Sequence, residues 1–185
     1  MPIVIADGKL IFRGGLYIYN QSKPQLTARI MQYHRPELCE MALRCFCADI
    51  SINAAVHVLS TTKNTLNSFY NFFRKTLYGH QFAKLKQNFE ANPKLGRARE
   101  CMGAIVYLYV YEHKLFVSKK SLKHKNCTPF SQSERIEIKK LYLKSYRKVL
   151  KKSFSHKFHL HLAEEIFKHN KAFDQRYFEL RGLIG

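Results

Sequence analysis

The sequence predicts an α+β fold, and three observations predict it. Apolar residues recur at helical spacing over 36–47, 52–78 and 134–170, the middle stretch broken by a polar elbow at 60–62. A run rich in β-branched and aromatic residues, AIVYLYVYEHKLFV, spans 104–117. Turn-forming and basic connectors separate these segments.

Residues 1–30 read as a short β-rich leader. Ile3-Val4-Ile5 and Leu10-Ile11-Phe12 flank Asp7-Gly8, a hairpin signal, and Leu16-Tyr17-Ile18-Tyr19 follows Gly14-Gly15. Asn20 to Pro24 is a polar connector. The spacing predicts a first helix over Pro36–Cys47, with proline in its first turn and Leu38, Met41, Ala42, Cys45 and Phe46 at helical intervals. Asp49 or Ser51 caps a second helix carrying Ala55, Val56 and Leu59. After the elbow Ser60-Thr61-Thr62, a third helix runs from about Thr62 to Tyr78, with Leu66, Phe69, Phe72 and Phe73 inward. Gly79 ends it.

Beyond a short basic connector, Phe89-Glu90-Ala91 reads as a brief strand and Pro93 to Glu100 as a basic loop. The run over 104–117 turns at Glu112-His113 and so forms two antiparallel strands. Ser118 to Ser131 is a polar, basic loop. Two helices follow. Glu134–Leu150 carries Ile136, Leu141, Leu143, Tyr146 and Val149, and Phe158–Asn170 carries Leu160, Leu162, Ile166 and Phe167.

The segment Ile52–Arg74 has the spacing of a helix-turn-helix, in which the second helix projects polar side chains into the major groove. The candidate groove-facing residues are Thr62, Lys63, Asn64, Asn67, Ser68 and Asn71, with Arg74 closing the segment. An ordinary helical hairpin in a core has the same spacing. Charge separates the two. The chain holds 32 Lys and Arg against 13 Asp and Glu, a formal net charge of +19. So one-sided a chain concentrates polyanions at its surface, and duplex DNA is the expected partner. An anionic membrane is disfavoured, because no lipidation signal and no spanning apolar run is present. An RNA-coating protein shares the charge but not the helical spacing.

Three basic clusters support polyanion binding. Lys94, Arg97 and Arg99 form one, and Lys119, Lys120, Lys123 and Lys125 a second. In the third, Lys140, Lys144, Arg147, Lys148 and Lys151 share one helix face, where like charges repel by a few tenths of a kcal/mol per pair, at roughly the helical i,i+4 scale. A phosphate backbone along that face relieves the repulsion.

The five cysteines are odd in number and form no C-x-x-C pair, which disfavours a disulfide framework or zinc site and fits a reducing cytoplasm. No secretory signal is read at the N-terminus. The expected location is the cytoplasm, with the nucleoid. His156, His159 and His161 lie near Glu164 and Glu165, but His159 and His161 are two apart and fall on different helix faces, a poor chelating pair.

In this order the elements resemble bacterial insertion-sequence transposases of the ISXO type. Lys63-Asn64-Thr65 and Arg74 sit where that family often shows K-N-T and a closing arginine. Phe89-Glu90-Ala91-Asn92 looks like its V-E-A-D, followed by Gly96-Arg97. His113-Lys114-Leu115-Phe116 looks like N-G-K-V-Y, and Arg135-Ile136-Glu137 like G-I-E. Lys144 matches a helix lysine, and Phe158 to Glu164 looks like F-x-L-x-L-K-E. Asn170 matches the asparagine of R-F-N, with Lys168 for the arginine. The likeness covers roughly 38–116 and 133–175.

The resemblance implies a helix-turn-helix DNA-binding domain over 31–80 and a truncated ribonuclease-H-like core over 84–185. It also implies DDE chemistry with two divalent metals held by carboxylates. Here the chain departs. Asn92 replaces the first catalytic aspartate and Pro93 the adjacent glutamate. The 19 residues between Phe116 and Ile136 hold no aspartate, so the second acid has no counterpart. Glu137 is the sole acid of the triad in place.

The expectation is a DNA-binding protein of transposase type that occupies element ends without cutting them. It needs no cofactor (Mg²⁺ if it were active), no membrane and no small-molecule substrate. Its partners are double-stranded DNA and an intact transposase or a second copy of itself. Two alternatives stand: a metal-dependent transposase or nuclease using Glu90, Glu137 and Glu164, and a basic structural RNA-binding protein.

Overall fold

The computed structural model describes residues 4–6, 9–12, 15–18, 35–91, 97–101, 106–111, 113–120, 122, 130–149 and 154–184. Over these the protein is mostly helical α+β, with two small antiparallel sheets. It divides into two compact units, Met1–Phe72 and Phe73–Gly185, and the division falls inside one long helix.

In the first unit the three expected extended runs are strands. β1 (Val4–Ala6), β2 (Lys9–Phe12) and β3 (Gly15–Ile18) form an antiparallel meander with Val4 opposite Ile11 and Leu10 opposite Tyr17. Helix α1 (Pro36–Cys47) has the expected bounds. Pro36 stands where a helix loses nothing by lacking an N–H, and Cys39, Ala42, Leu43, Cys45, Phe46 and Cys47 are buried. Asp49 (φ 60°) turns the chain in the left-handed region, which Asp tolerates better than most residues. Ser51, one of the two expected caps, accepts from Ala54 N at 3.3 Å and opens α2 (Ile52–Val58). The elbow Leu59–Thr62, with Ser60 at φ 46°, leads to α3 (Lys63–Ala91). Tyr70 of α3 meets the Phe46 ring edge-on at 5.2 Å and donates its hydroxyl to the Ile50 carbonyl at 3.0 Å. One side chain thus ties α3 to both α1 and the turn before α2.

Two expectations about α3 are corrected. Gly79 does not end the helix, and Phe89-Glu90-Ala91 is its last turn rather than a strand. Leu77, Gln81 and Leu85 are buried at intervals of four, and half-buried Phe89 extends the stripe. Burial along that stripe outweighs the roughly 1 kcal/mol by which glycine disfavours a helix interior.

The second unit is built on a three-stranded antiparallel sheet of order β4 (Arg97–Cys101), β5 (Val106–Tyr111) and β6 (Lys114–Ser118). The last two are the strands expected over 104–117, turning at His113 (φ 62°). The expected loop Pro93–Glu100 is corrected in its second half, because Arg97 onward pairs with β5, Arg97 opposite Val110. The run VYLYVY does not alternate apolar and polar because both faces of the sheet are covered. Val106, Leu108 and Val110 pack with α4 (Gln132–Lys148) and α5 (Phe154–Lys168) through Leu141, Tyr142, Phe158 and Leu162. Tyr109 and Tyr111 point the other way, onto Leu85 and Phe89 of α3, and the Phe89 ring lies 5.4 Å from each tyrosine.

Helix α4 starts on a reciprocal cap: Ser131 Oγ accepts from Glu134 N at 3.3 Å, and Glu134 Oε2 from Ser131 N at 2.7 Å. Its buried face is Leu141, Tyr142 and Ser145, flanked by half-buried Ile138 and Val149. Ile136, Leu143 and Tyr146, expected inside, are exposed. A last helix, α6 (Phe173–Ile184), was not predicted; it buries only Tyr177 and Leu180. No helix of the described residues is long and apolar enough to cross a membrane.

Gly79 is exposed, and a Cβ added there meets nothing within 4 Å. Gly79→Ala is therefore expected to stabilise the protein by roughly 0.5–1 kcal/mol, read as a raised midpoint in chemical denaturation. A loss of stability would mean that α3 breaks at this position.

Candidate nucleic-acid interface

The residues expected in the groove stand at the start of α3, in the first unit. Thr62 is exposed and acts as the helix cap: its Oγ1 accepts from Thr65 N at 3.2 Å and lies 2.8 Å from Thr65 Oγ1. Lys63 and Asn64 are exposed, and Asn67, Ser68 and Asn71 are half-buried. Ser68 donates to the Asn64 carbonyl at 3.0 Å. Between them Leu66, Phe69 and Tyr70 are buried, so one side of the helix is anchored while the other presents Lys63, Asn64, Asn67 and Asn71. The sequence places polar residues at i and i+4 on this side, which is what keeps the stripe continuous.

Arg74 does not belong to that surface. It is buried, and its Nε donates to Glu164 Oε2 at 2.7 Å; the expected DNA contact is corrected to an internal ion pair. Glu164 also accepts from Lys168 Nζ at 2.7 Å and lies 3.4 Å from Lys148 Nζ. The neighbouring Glu165 holds Lys144 at 2.8 Å and a close contact from Lys148. Burial pushes the Glu164 carboxyl up, but Lys168, Arg74 and Lys148 together reverse this and hold it well below the usual carboxylate range. On the basic face of α4, then, carboxylates of α5 relieve the repulsion around Lys144 and Lys148. Lys140 and Arg147 stay exposed. Arg97 and Arg99 lie in β4, opposite Val110 and Leu108.

His159 and His161, weighed above as metal ligands, are buried and neutral. Burial first, then Lys119, lowers His159 to about 4. Burial first, then chiefly Arg74, lowers His161 to about 3. The His159 ring packs edge-on against Tyr78 at 4.8 Å. Glu164 and Glu165 are the kind of adjacent buried carboxylates a divalent cation takes, yet Arg74, Lys144, Lys148 and Lys168 already converge on them.

Glu137 is exposed on the second turn of α4, and His169 Nε2 lies 2.8 Å from its Oε1. Asn92 lies outside the described residues. Among the described residues Glu137 belongs to no group of three ligands close enough to share a metal. The set Glu90, Glu137 and Glu164 therefore does not converge: Glu90 is exposed on α3 and Glu164 is enclosed by cations. This donor set does not fit a two-metal centre.

No protein-family model, curated protein or solved structure matches the chain.

The buried charges set two expectations. Glu164→Gln removes the anion that Arg74 and Lys168 share, and is expected to cost about 3–5 kcal/mol in chemical denaturation, the usual scale for stranding buried partners. The pH dependence follows from the lowered values of His159 and His161. The unfolded chain binds these protons near pH 6.5, and the native protein only near 4 and 3. Stability is complete above about pH 6.5 and falls on acidification by on the order of 1 kcal/mol per pH unit for each histidine. Glu164, also lowered, adds a loss at still lower pH. A thermal midpoint unchanged between pH 7 and pH 5 would contradict this.

Proposed function

We propose that the protein binds duplex DNA through α2, the Leu59–Thr62 elbow and the first half of α3, as a helix-turn-helix. It is of insertion-sequence transposase type and holds element ends without cutting them. The observation that carries this reading is the polar stripe of Lys63, Asn64, Asn67 and Asn71 on a helix whose opposite side is buried. The net charge of +19 supports it, since counterion release from phosphates drives such binding. The domain reading is a leader over 1–30, a DNA-binding domain over 31–80 and a shortened ribonuclease-H-like remnant over 84–185. It rests on the order of the motifs named above. Beside the nucleoid, such a binder occupies ends that an intact transposase needs, alone or paired with it, and so acts as an inhibitor.

A second reading, a metal-dependent nuclease, is favoured by the adjacent buried carboxylates Glu164 and Glu165. A strand-cleavage assay with Mg²⁺ or Mn²⁺ separates the two. Nicking that requires metal and disappears in Glu165→Gln supports the nuclease, and its absence leaves the binder.

Binding itself is tested by fluorescence anisotropy against the DNA flanking the gene, a scrambled duplex and structured RNA at fixed salt. Lys63→Ala with Asn64→Ala is expected to remove about 1–3 kcal/mol of preference for the flanking end, while Lys140→Ala with Arg147→Ala weakens all duplexes alike. Equal affinity for RNA and DNA, with no effect of the first pair, would favour a structural RNA-binding protein.

A further inference from the structure

Ile136, Leu143 and Tyr146 of α4 are 52%, 44% and 45% exposed, while the same helix buries Leu141, Tyr142 and Ser145 on its opposite side. Single apolar residues scattered over a surface are ordinary. These three are not scattered. Spaced at i, i+7 and i+10, they form one row along about three turns of the outer side of the helix.

The row is set among cations. Lys139 and Lys140 fill the turn between Ile136 and Leu143, and Arg147 follows Tyr146. All three are exposed, and none has an ion-pair partner among the described residues. The acids of α4 are engaged elsewhere: Glu134 caps the helix, and Glu137 lies 2.8 Å from His169 Nε2.

Apolar side chains alternating with unpaired cations on one outward helix face narrow what can cover it. A second copy meeting it face to face opposes cation to cation, in a chain of net charge +19. A duplex backbone pairs the cations but offers no apolar layer to Ile136 and Leu143. An acidic protein helix supplies both, yet such helices bind by laying their apolar side into a groove. The outward side of α4 is a ridge. Its row lines neither the cleft of about 620 Å³ at Leu141 and Ile166 nor the one of about 320 Å³ at Ser131 and Ile138. A flat, fluid surface with phosphates above hydrocarbon fits a ridge. Aliphatic side chains enter the acyl boundary, lysine stems lie along it with their ammonium groups at the phosphates, and a tyrosine keeps its hydroxyl among the headgroups.

We propose that α4 docks the protein on an anionic lipid bilayer. Ile136, Leu143 and Tyr146 insert at the headgroup–acyl boundary, and Lys139, Lys140 and Arg147 lie on lipid phosphates. The attachment is peripheral, through one helix face. The inference does not depend on duplex binding by the first unit.

The chain holds no tryptophan, so Leu143→Trp in the full chain places a single reporter in the row. With vesicles of phosphatidylglycerol and phosphatidylcholine, its emission is expected to move to shorter wavelength and to be quenched by lipid brominated in the acyl chains. Vesicles of phosphatidylcholine alone should bind about tenfold more weakly or worse, because the cations gain little there. In a sedimentation assay, Ile136→Ser with Leu143→Ser should weaken binding to the anionic vesicles by about tenfold or more. Both positions are exposed, so an unchanged thermal midpoint shows that the variant is folded. Val58→Ser, at an exposed apolar residue of the first unit, should leave vesicle binding as it was. Tryptophan emission that does not move on anionic vesicles would overturn the proposal. So would a serine pair that binds them as tightly as the unaltered protein, since only the general attraction of a basic chain would then remain. A shift produced by an acidic amphipathic peptide and not by vesicles would give the face to a protein partner instead.

Discussion

Glu164 is one carboxylate held by three cations from three helices: Arg74 of α3, Lys148 of α4 and Lys168 of α5. Taking such charges out of water costs several kcal/mol per ion, and the attraction repays it only where each charge has close partners. That condition holds here at 2.7 Å for two of the three pairs. The consequence is geometric as well as energetic. Removing Glu164 strands the buried Arg74 and Lys168, so this carboxylate ties α3 to α5, and the neutral His159 and His161 pack nearby. In a chain with 13 acidic residues against 32 basic ones, anions are scarce, and two of them are spent inside the second unit.

This changes how the positive charge is understood. A basic stripe on a helix is naturally read as a phosphate track, and the exposed Lys140 and Arg147 keep that character because neither has an ion-pair partner among the described residues. Lys144 and Lys148 stand on the same helix but serve α5, and Arg74 ends inside the protein. Surface potential and internal pairing thus draw on the same residue types. Lys84 and Lys114, which line a cleft of the second unit, show the complementary case: they are exposed and have no ion-pair partner among the described residues.

How much was readable from residues alone varied by element. Pro36–Cys47, the Ser51 cap, the elbow at Ser60, the extended runs of the leader and the hairpin over 104–117 all follow from local chemistry: a proline, a hydroxyl cap, a run of short polar side chains, and β-branched or aromatic runs. Gly79 does not end the helix because its propensity is weak beside the stripe of Leu77, Gln81, Leu85 and Phe89, in which Leu85 and Phe89 pack on a sheet and Gln81 bonds to α5, both distant in sequence. Helix α6 carried too few buried residues to announce itself. Glu137 was singled out as a triad acid, yet its neighbour is His169, and nothing in the spacing of the two foretells that pairing.

The sequence by itself determined the α+β class, the strong positive charge and the polar stripe opening α3, because composition and periodicity depend on near neighbours along the chain. Which cations became internal partners, which stayed on the surface, and that Gln81, Lys84 and Lys114 line one cleft were decided only by tertiary structure. The physical reason is that ion pairing and burial also join residues far apart in the chain, 90 positions from Arg74 to Glu164, and no local pattern encodes a partner at that distance.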